Sequence, residues 1–380
     1  MFLKSLTWKI LLGRLLLSVV SSSAVAFAAY ADNNSRDADW GVVYTSTNAA
    51  AGNAVVVLSR GSDGSLSPSA TVATDGLGSG GGLGNQGALA ITKSGRWLFV
   101  VNAGSNDISV FKVNHNGLQL TNRTPSGGIR PVSLTVHEDM LYVLNAGGVN
   151  NITGFNIGEE GRLTAIPEST RALSADATGP AQVEFSRDGE LLVVTEKATN
   201  KISLYTVENG IAKGPTVRDS NGATPFGFSF DRRGHLIVSE AFGGAPGASA
   251  LSSYNVDDDT PSLQLISPSV GTTQTAACWV VVTKNGRYAY TTNTGSGTVS
   301  GYRVDRNGKL SLLNADGLTA VIGAGTGPTD AALSRDSKFL YVLNRVIGTI
   351  AAWRVEPNGS LTPITGASGI ATSATGLVAR

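Results

Sequence analysis

Glu196 and Lys197 are adjacent ionisable residues that follow the apolar run LLVVT, and Arg130 precedes another apolar run. A carboxylate can take a proton from water, and a cation can stabilise an oxygen that gains negative charge. Glu196 as general base, with Arg130 or Lys197 as the stabilising group, therefore forms a candidate catalytic set for hydrolysis. The alternative is that Glu196 only takes the turn role that asparagine takes in other copies of this run.

Other polar or aromatic side chains stand at comparable ends of apolar runs. The candidate substrate-binding residues are Gln182, Asp330, Glu240, Trp279 and Arg345. No metal site is predicted, because the three histidines lack zinc-ligand spacing, and we expect all three in solvated turns. Cys278, the only cysteine, has no base or cation beside it in the sequence, so we expect a buried, inert thiol and no disulfide. No nicotinamide, flavin or quinone motif occurs, and no cofactor is predicted.

The elements that must position these residues are visible as repeats. An apolar run ending in Asn or Glu occurs seven times, and its last residues are Asn48, Asn102, Asn145, Glu196, Glu240, Asn293 and Asn344. Their separation of 43 to 54 residues is the spacing of a four-stranded propeller blade.

A second alternating run follows each of the first. It carries one large side chain at an equivalent place, and these side chains are Leu58, Phe111, Phe155, Tyr205, Tyr254, Tyr302 and Trp353. We interpret them as packing between blades. Gly- and Asn-rich turns lead to a fourth strand, and proline opens four of the first strands, at Pro131, Pro180, Pro225 and Pro328.

The pattern predicts an all-β fold, a seven-bladed β-propeller of four-stranded antiparallel blades over residues 40–380. The first blade lacks its first strand, and we expect residues 375–379 to supply it and close the ring. The Gly-rich stretch from Gly76 to Gly84 is interpreted as an interblade loop. First strands begin, and second strands end, on one face, so all eight candidate residues should gather at one mouth of the central channel, where propellers bind small molecules.

The N-terminus is typical of an export signal. Lys4, Lys9 and Arg14 precede an apolar stretch from residue 15 to 29, and Ala29-Tyr30-Ala31 offers a cleavage site. We expect residues 1–31 to be a cleaved signal peptide and 32–39 a short tail, with a membrane anchor as the alternative. We therefore expect a secreted or periplasmic protein, and we also expect a monomer. The net charge of +1, without a basic run after the first 15 residues, speaks against nucleic acid as a partner.

The segments KSGRWLFVVN, KNGRYAYTTN and RDSKFLYVLN resemble the blade motif of the seven-bladed lactonase family. That family includes 6-phosphogluconolactonases and 3-carboxy-cis,cis-muconate cyclases. The resemblance implies a polar centre with Arg and His in a first strand similar to GPRHMVF and a Glu ending the next strand. This chain has GPAQVEF there, so Ala181 and Gln182 occupy the Arg and His positions, whereas Glu196 matches the Glu.

Two functions follow as hypotheses. The first is an exported lactonase-like protein that hydrolyses or forms a small lactone without phosphate, of the sugar lactone or carboxymuconolactone class, because phosphorylated sugars are cytosolic metabolites. The second is a catalytically inactive propeller that binds a protein or a glycan.

Overall fold

The seven repeats form seven antiparallel sheets in the computed structural model, which describes residues 41–257 and 260–380. Blades 1 to 3 contain β1 (Gly41–Ser46), β2 (Ala54–Arg60), β3 (Leu66–Ala73); β4 (Leu89–Ile91), β5 (Trp97–Asn102), β6 (Asp107–Asn114), β7 (Gly117–Pro125); and β8 (Ile129–His137), β9 (Met140–Gly147), β10 (Asn151–Ile157), β11 (Leu163–Ala165), β12 (Arg171–Ala172).

Blades 4 to 7 contain β13 (Pro180–Phe185), β14 (Leu191–Glu196), β15 (Lys201–Glu208), β16 (Ile211–Asp219); β17 (Pro225–Phe230), β18 (Leu236–Glu240), β19 (Ala250–Asp257), β20 (Ser262–Gly271); β21 (Ala277–Val282), β22 (Tyr288–Asn293), β23 (Thr298–Val304), β24 (Leu310–Leu312), β25 (Ala320–Val321); and β26 (Pro328–Leu333), β27 (Phe339–Asn344), β28 (Thr349–Val355), β29 (Leu361–Ser368). The last strand is β30 (Thr375–Ala379). Two single 3₁₀ turns, Glu159–Gly161 and Phe242–Gly244, interrupt the strands.

Consecutive strands pair within each blade, and the first strands of neighbouring blades contact one another around the channel. The outermost strand is divided in blades 3 and 6, where β12 pairs with β10 and β25 pairs with β23. The seven-bladed, four-stranded architecture predicted from the repeats is confirmed.

The ring closes as predicted, because β30 pairs antiparallel with β1 and completes blade 1. Val42 and Arg380 exchange backbone hydrogen bonds of 3.1 and 2.8 Å, and the Thr45 hydroxyl donates to the Gly376 carbonyl at 2.7 Å. Gly376 has φ +74°, and an added Cβ would lie 2.4 Å from Leu89 Cδ1. Glycine therefore lets this strand approach blade 2.

The large side chains of the third strands pack between blades, as predicted. All seven are at most 4% exposed. The Tyr205 hydroxyl donates to the Ala172 carbonyl of blade 3 at 2.9 Å, and the Tyr302 hydroxyl donates to the Val270 carbonyl of blade 5 at 2.8 Å. Each tyrosine thus buries its ring and satisfies its hydroxyl on the preceding blade.

The predicted signal peptide and tail lie outside the described residues. The described residues, 41–257 and 260–380, form one compact unit. Among the residues that the structure describes, no helix is long and apolar enough to cross a membrane.

Candidate functional site

The start of each first strand and the end of the neighbouring second strand share one face of the disc. The register shows this directly, because Pro180 pairs with Glu196 and Pro328 pairs with Asn344. The sequence candidates therefore stand on the expected face, which we call the mouth face. Their side chains nevertheless fall into separate environments.

Glu196 is fully buried and its carboxylate is saturated with hydrogen bonds. It accepts from the Ser203 hydroxyl at 2.6 Å, the Thr199 hydroxyl at 3.0 Å and the Ser174 backbone N–H at 3.2 Å, and also from the Ser174 hydroxyl. These donors lie in β15 and the adjoining loops, so the carboxylate tethers blade 4. A general base needs a free oxygen within reach of a water, and this geometry supplies none.

Glu240 occupies the equivalent position in blade 5 and is also fully buried. It accepts from the Gly222 N–H at 2.8 Å and from the Ser269 hydroxyl at 2.6 Å. Burial raises the pKa of this carboxyl, and its hydrogen bonds to Ser252, Ser269 and Gly222 oppose that shift. Glu240 thus ties β20 to the loop that precedes β17.

Lys197 projects into the mouth. Its ammonium donates to the carbonyls of Gly84 at 2.7 Å and Pro180 at 3.0 Å, and it lies 4.7 Å from the centre of the Phe226 ring. Burial lowers the pKa of Lys197 to about 8; the Cys278 thiol opposes this shift and the Arg130 charge adds to it. Within the described ranges, no carboxylate lies within 4.0 Å of this amine.

Arg130 and Arg345 add two more cations to the mouth face. Arg130 is exposed and has φ +57°. Its backbone N–H donates to the Asn106 side-chain oxygen at 2.8 Å. Arg345 donates to the Thr372 carbonyl at 3.3 Å, and its guanidinium lies beside Gly82. Neither forms an ion pair with a described carboxylate. The mouth therefore carries positive charge that the part of the chain described here does not neutralise.

Asn85 and Gln86 span the channel directly beneath this mouth. Gln86 donates to the Val280 carbonyl at 2.8 Å and accepts from the Val280 N–H at 3.0 Å. Its side-chain amide therefore makes the same pair of hydrogen bonds as a residue of a neighbouring antiparallel strand would. Asn85 donates to the Val132 carbonyl and accepts from the Thr375 hydroxyl at 3.1 Å. The two residues thus connect blades 1, 3 and 6 from inside. We call this pair the plug.

The plug was not found from the sequence. The Gly-rich stretch is an interblade loop, as expected, but its continuation also covers the channel. Trp279 donates its indole N–H to the Asn85 carbonyl, packs 5.1 Å from the Phe226 ring and is only 4% exposed. Trp279 is therefore a wall of the plug, and little of its ring is left for a ligand.

Gln182 and Asp330 lie below the plug and line a cavity of about 210 Å³ together with Glu184, which sequence reasoning missed. Gln182 bridges to Phe228 of blade 5, donating to its carbonyl at 2.9 Å and accepting from its N–H at 2.7 Å, and it donates to Glu184 at 2.8 Å. Burial raises the pKa of Glu184 to about 8, against the hydrogen bond from Gln182.

Asp330 is buried in the same cavity and accepts the Ala331 N–H at 2.8 Å. Burial raises its pKa well above the usual range, although the amides of Ala331, Gly87 and Leu377 oppose this. The structure thus divides the eight sequence candidates into four groups. Lys197, Arg130 and Arg345 lie at the open mouth, and Trp279 lies against the plug. Gln182 and Asp330 line the channel below, and Glu196 and Glu240 lie in the blade interiors.

Cys278 is buried beside the mouth, and its thiol donates to the Ala276 carbonyl at 3.2 Å. Burial raises the pKa of Cys278 to about 12, against hydrogen bonding to Thr294 and the charge of Lys197. A thiol with so high a pKa is a poor nucleophile near neutral pH.

The histidine expectation was wrong for two of the three residues. His115 is exposed, but His235 is paired with Asp231 at 2.9 Å with 12% of its side chain exposed. His137 packs against the Phe185 ring at 5.7 Å, and its Nδ1 is buried without a hydrogen-bond partner. His235 lies in the turn before β18 and His137 is the last residue of β8, both on the face opposite the mouth, where His137 also lines a cavity of about 880 Å³ with charges of both signs.

The closed ring of seven blades, plugged at its axis and cationic at one mouth, defines a seven-bladed β-propeller. The family described as "Lactonase, 7-bladed beta-propeller" matches residues 49–175 and 245–372. The chain belongs to this seven-bladed β-propeller lactonase family.

Solved structures share the fold at low sequence identity. A putative 6-phosphogluconolactonase from Bacteroides fragilis is 17% identical with a TM-score of 0.70, covering 90% of this chain and 98% of the other. The periplasmic gluconolactonase of Pseudomonas aeruginosa is 17% identical with a TM-score of 0.69, covering 89% and 98%. A Lactobacillus plantarum protein is 15% identical with a TM-score of 0.72, covering 90% and 99%. No curated protein matches the sequence.

Proposed function

We propose that this chain is an exported lactonase-family protein that hydrolyses or forms a small lactone without phosphate at its cationic mouth. The observation that carries the proposal is the Lys197 ammonium, which has no carboxylate partner within 4.0 Å among the described residues and whose pKa the charge of Arg130 helps to lower. Sugar lactones and carboxymuconolactones yield carboxylate products, and a carboxylate is the partner this mouth lacks.

Lys197 and Arg130 keep the stabilising role expected from the sequence, and only the role of Glu196 differs. In hydrolysis, water adds to the lactone carbonyl carbon, the ring C–O bond breaks and the ring oxygen takes one of the water's protons, and the acid formed releases its proton to solvent to become a carboxylate. Lys197 and Arg130 stabilise the carbonyl oxygen as it gains charge, and afterwards bind the carboxylate. Glu196 holds blade 4 together and is not assigned a catalytic role.

Export is supported by the N-terminal pattern of cations, apolar residues and a cleavage site. One structural neighbour is itself described as a periplasmic gluconolactonase. Cell fractionation and N-terminal sequencing of the mature protein test this part, with cleavage expected before Asp32. An intact N-terminus in the membrane fraction would favour the anchor alternative.

Hydrolysis is tested with a panel of aldonolactones and muconolactones, and product binding by calorimetry with the corresponding acids. We expect Lys197→Met to lower both by tenfold or more, because one of two charge-assisted contacts is lost. Lys201→Met is the matched control, since Lys201 stands four residues away and pairs with Asp219 at 2.5 Å. Equal losses in both variants would remove Lys197 from the site.

The second candidate function is a catalytically inactive propeller that binds a protein or glycan. The specific observations in its favour are the plug, the saturated carboxylate of Glu196, and Ala181 and Gln182 at the positions where the family resemblance implies Arg and His. It is supported if wild type turns over no lactone but still binds an acid in a Lys197-dependent way. If wild type shows neither turnover nor binding, the lactone proposal is wrong.

A further inference from the structure

Five arginines from separate segments converge on the face opposite the mouth. They are Arg232 and Arg233 from the turn between β17 and β18, Arg287 from the turn before β22, Arg303 from β23, and Arg306 from the turn after it. All five are exposed, and they line one cavity of about 640 Å³ between blades 5 and 6. We call this set the arginine cluster.

The cluster is held together by contacts that leave its charges free. The guanidinium carbons of Arg287 and Arg303 each lie 5.6 Å from the centre of the same Tyr288 ring. Arg187 of blade 4 donates to the Arg232 carbonyl at 2.9 Å. Gly286 has φ +67°, and an added Cβ would lie 3.0 Å from Arg232 Cβ, so glycine permits the close approach of the two turns.

No carboxylate in the described ranges neutralises these arginines. None of the five forms an ion pair within 4.0 Å. Asp305 is the one acidic residue that lines the cavity. Its Oδ1 accepts the N–H groups of Asn307 at 2.8 Å and Lys309 at 2.9 Å, so this carboxylate shapes its own turn. Five like charges around one concavity attract a multiply charged anion.

We propose that the arginine cluster is a binding site for a compact anion that carries two or more phosphate or sulfate groups. Guanidinium groups bind such tetrahedral oxyanions through two parallel N–H donors, which favours arginine over lysine. The concave shape suits a small, densely charged ligand. The site lies on the opposite face from Lys197, so it is independent of the lactone proposal.

The test is calorimetric titration of the full chain with tripolyphosphate at low salt. We expect one binding site, weakened at least tenfold in Arg287→Ala/Arg303→Ala. The control is Arg96→Ala/Arg162→Ala, which removes the same charge from exposed side chains of blades 2 and 3 and should bind within about twofold of wild type. Arg306→Ala, which leaves both contacts to Tyr288 intact, should also weaken binding.

Two further measurements test whether the paired N–H donors of arginine matter and which kind of anion binds. Arg287→Lys/Arg303→Lys keeps the charge and loses the paired donors, so it should still bind several-fold more weakly than wild type. Sucrose octasulfate in place of tripolyphosphate distinguishes a sulfated ligand from a phosphorylated one by the tighter affinity. The proposal is overturned if wild type binds neither anion, or if the cluster variant and the control bind equally.

Discussion

Ser203 donates a hydrogen bond of 2.6 Å to Glu196, seven residues earlier in the chain. Asn102 and Ser109 make the same connection at 2.8 Å, and Asn293 and Ser300 at 2.9 Å, but there the asparagine is the donor. The serine hydroxyl can act as donor or acceptor, so one contact between second and third strands accommodates either side chain. Glu196 therefore plays the turn role that asparagine plays elsewhere.

This relationship predicts the behaviour of Glu196 variants. Glu196→Gln keeps an acceptor for the surrounding hydroxyls and should cost no more than about 1 kcal/mol in the free energy of unfolding. Glu196→Ala leaves the buried donors without a partner and should cost about 2–3 kcal/mol. Urea denaturation measures both. Lactone turnover or acid binding should survive in Glu196→Gln; its complete loss with a normal unfolding curve would restore Glu196 as the base.

The lowered pKa of Lys197 predicts that the binding of acids depends on pH. Its pKa is lowered to about 8, so the ammonium loses its proton as pH rises through 8, where an exposed lysine remains charged. We expect affinity for an aldonate to be constant from pH 6 to about 7.5 and to fall above about 8, measured by calorimetry. In Lys197→Met this decline should vanish, and the residual affinity should be flat over the same range. A decline shared by both proteins would assign it to another group.

The raised pKa of Glu184 predicts that the stability of the folded protein falls as pH rises. Its folded-state pKa is raised to about 8 from 4.5, so between these values the folded protein binds more protons than the unfolded chain. The free energy of unfolding contributed by this group is therefore full below about pH 4.5 and is lost as pH rises through 8. Glu184→Gln removes the dependence. Relative to wild type, it should gain stability on the order of 2 kcal/mol between pH 5 and 8.5.

The control for this measurement is Glu356→Gln, a partly exposed carboxyl whose pKa is lowered by hydrogen bonds to Thr362 and Arg354. The free energy of unfolding of Glu356→Gln, relative to that of wild type, should not increase between about pH 5 and 8.5. If Glu184→Gln and wild type have parallel stability profiles, the channel carboxyl is ionised in the folded protein.

Gly376 and Gly369 form a matched pair for testing ring closure. Both have positive φ, +74° and +77°, so alanine is conformationally strained at either site. At Gly369 an added Cβ meets nothing within 4 Å, whereas at Gly376 it would meet Leu89 and Ala88. We expect Gly369→Ala to cost about 1 kcal/mol and Gly376→Ala about 2–4 kcal/mol in thermal or urea unfolding. Equal costs would mean that β30 can shift away from blade 2 without loss.

The blades could be read from the sequence because their signals are local. Alternating apolar residues, terminal Asn or Glu, and Gly- or Asn-rich turns all lie within one repeat, and even ring closure needed only the resemblance of residues 375–379 to a first strand. The same periodicity put the candidate residues on the correct face.

Side-chain partners distant in the chain were not predictable in this way. Gln86 forms a hydrogen bond with Val280, 194 residues away, and no local sequence pattern predicts that contact. Glu184 was missed because most of the residues that line the cavity around it come from other blades, although its hydrogen-bond partner Gln182 lies in the same strand. The arginine cluster was missed for the same reason, since its five members never form a continuous basic run.

The plug also has a consequence for how the two faces communicate. With Asn85 and Gln86 fixed to three blades across the axis, the disc offers a solute no straight passage from one side to the other. Occupancy of one face should therefore leave the affinity of the other unchanged, so that the two binding free energies simply add. The protein would then behave as a two-sided adaptor, able to hold a small acid on one surface and a polyanion on the other at the same time.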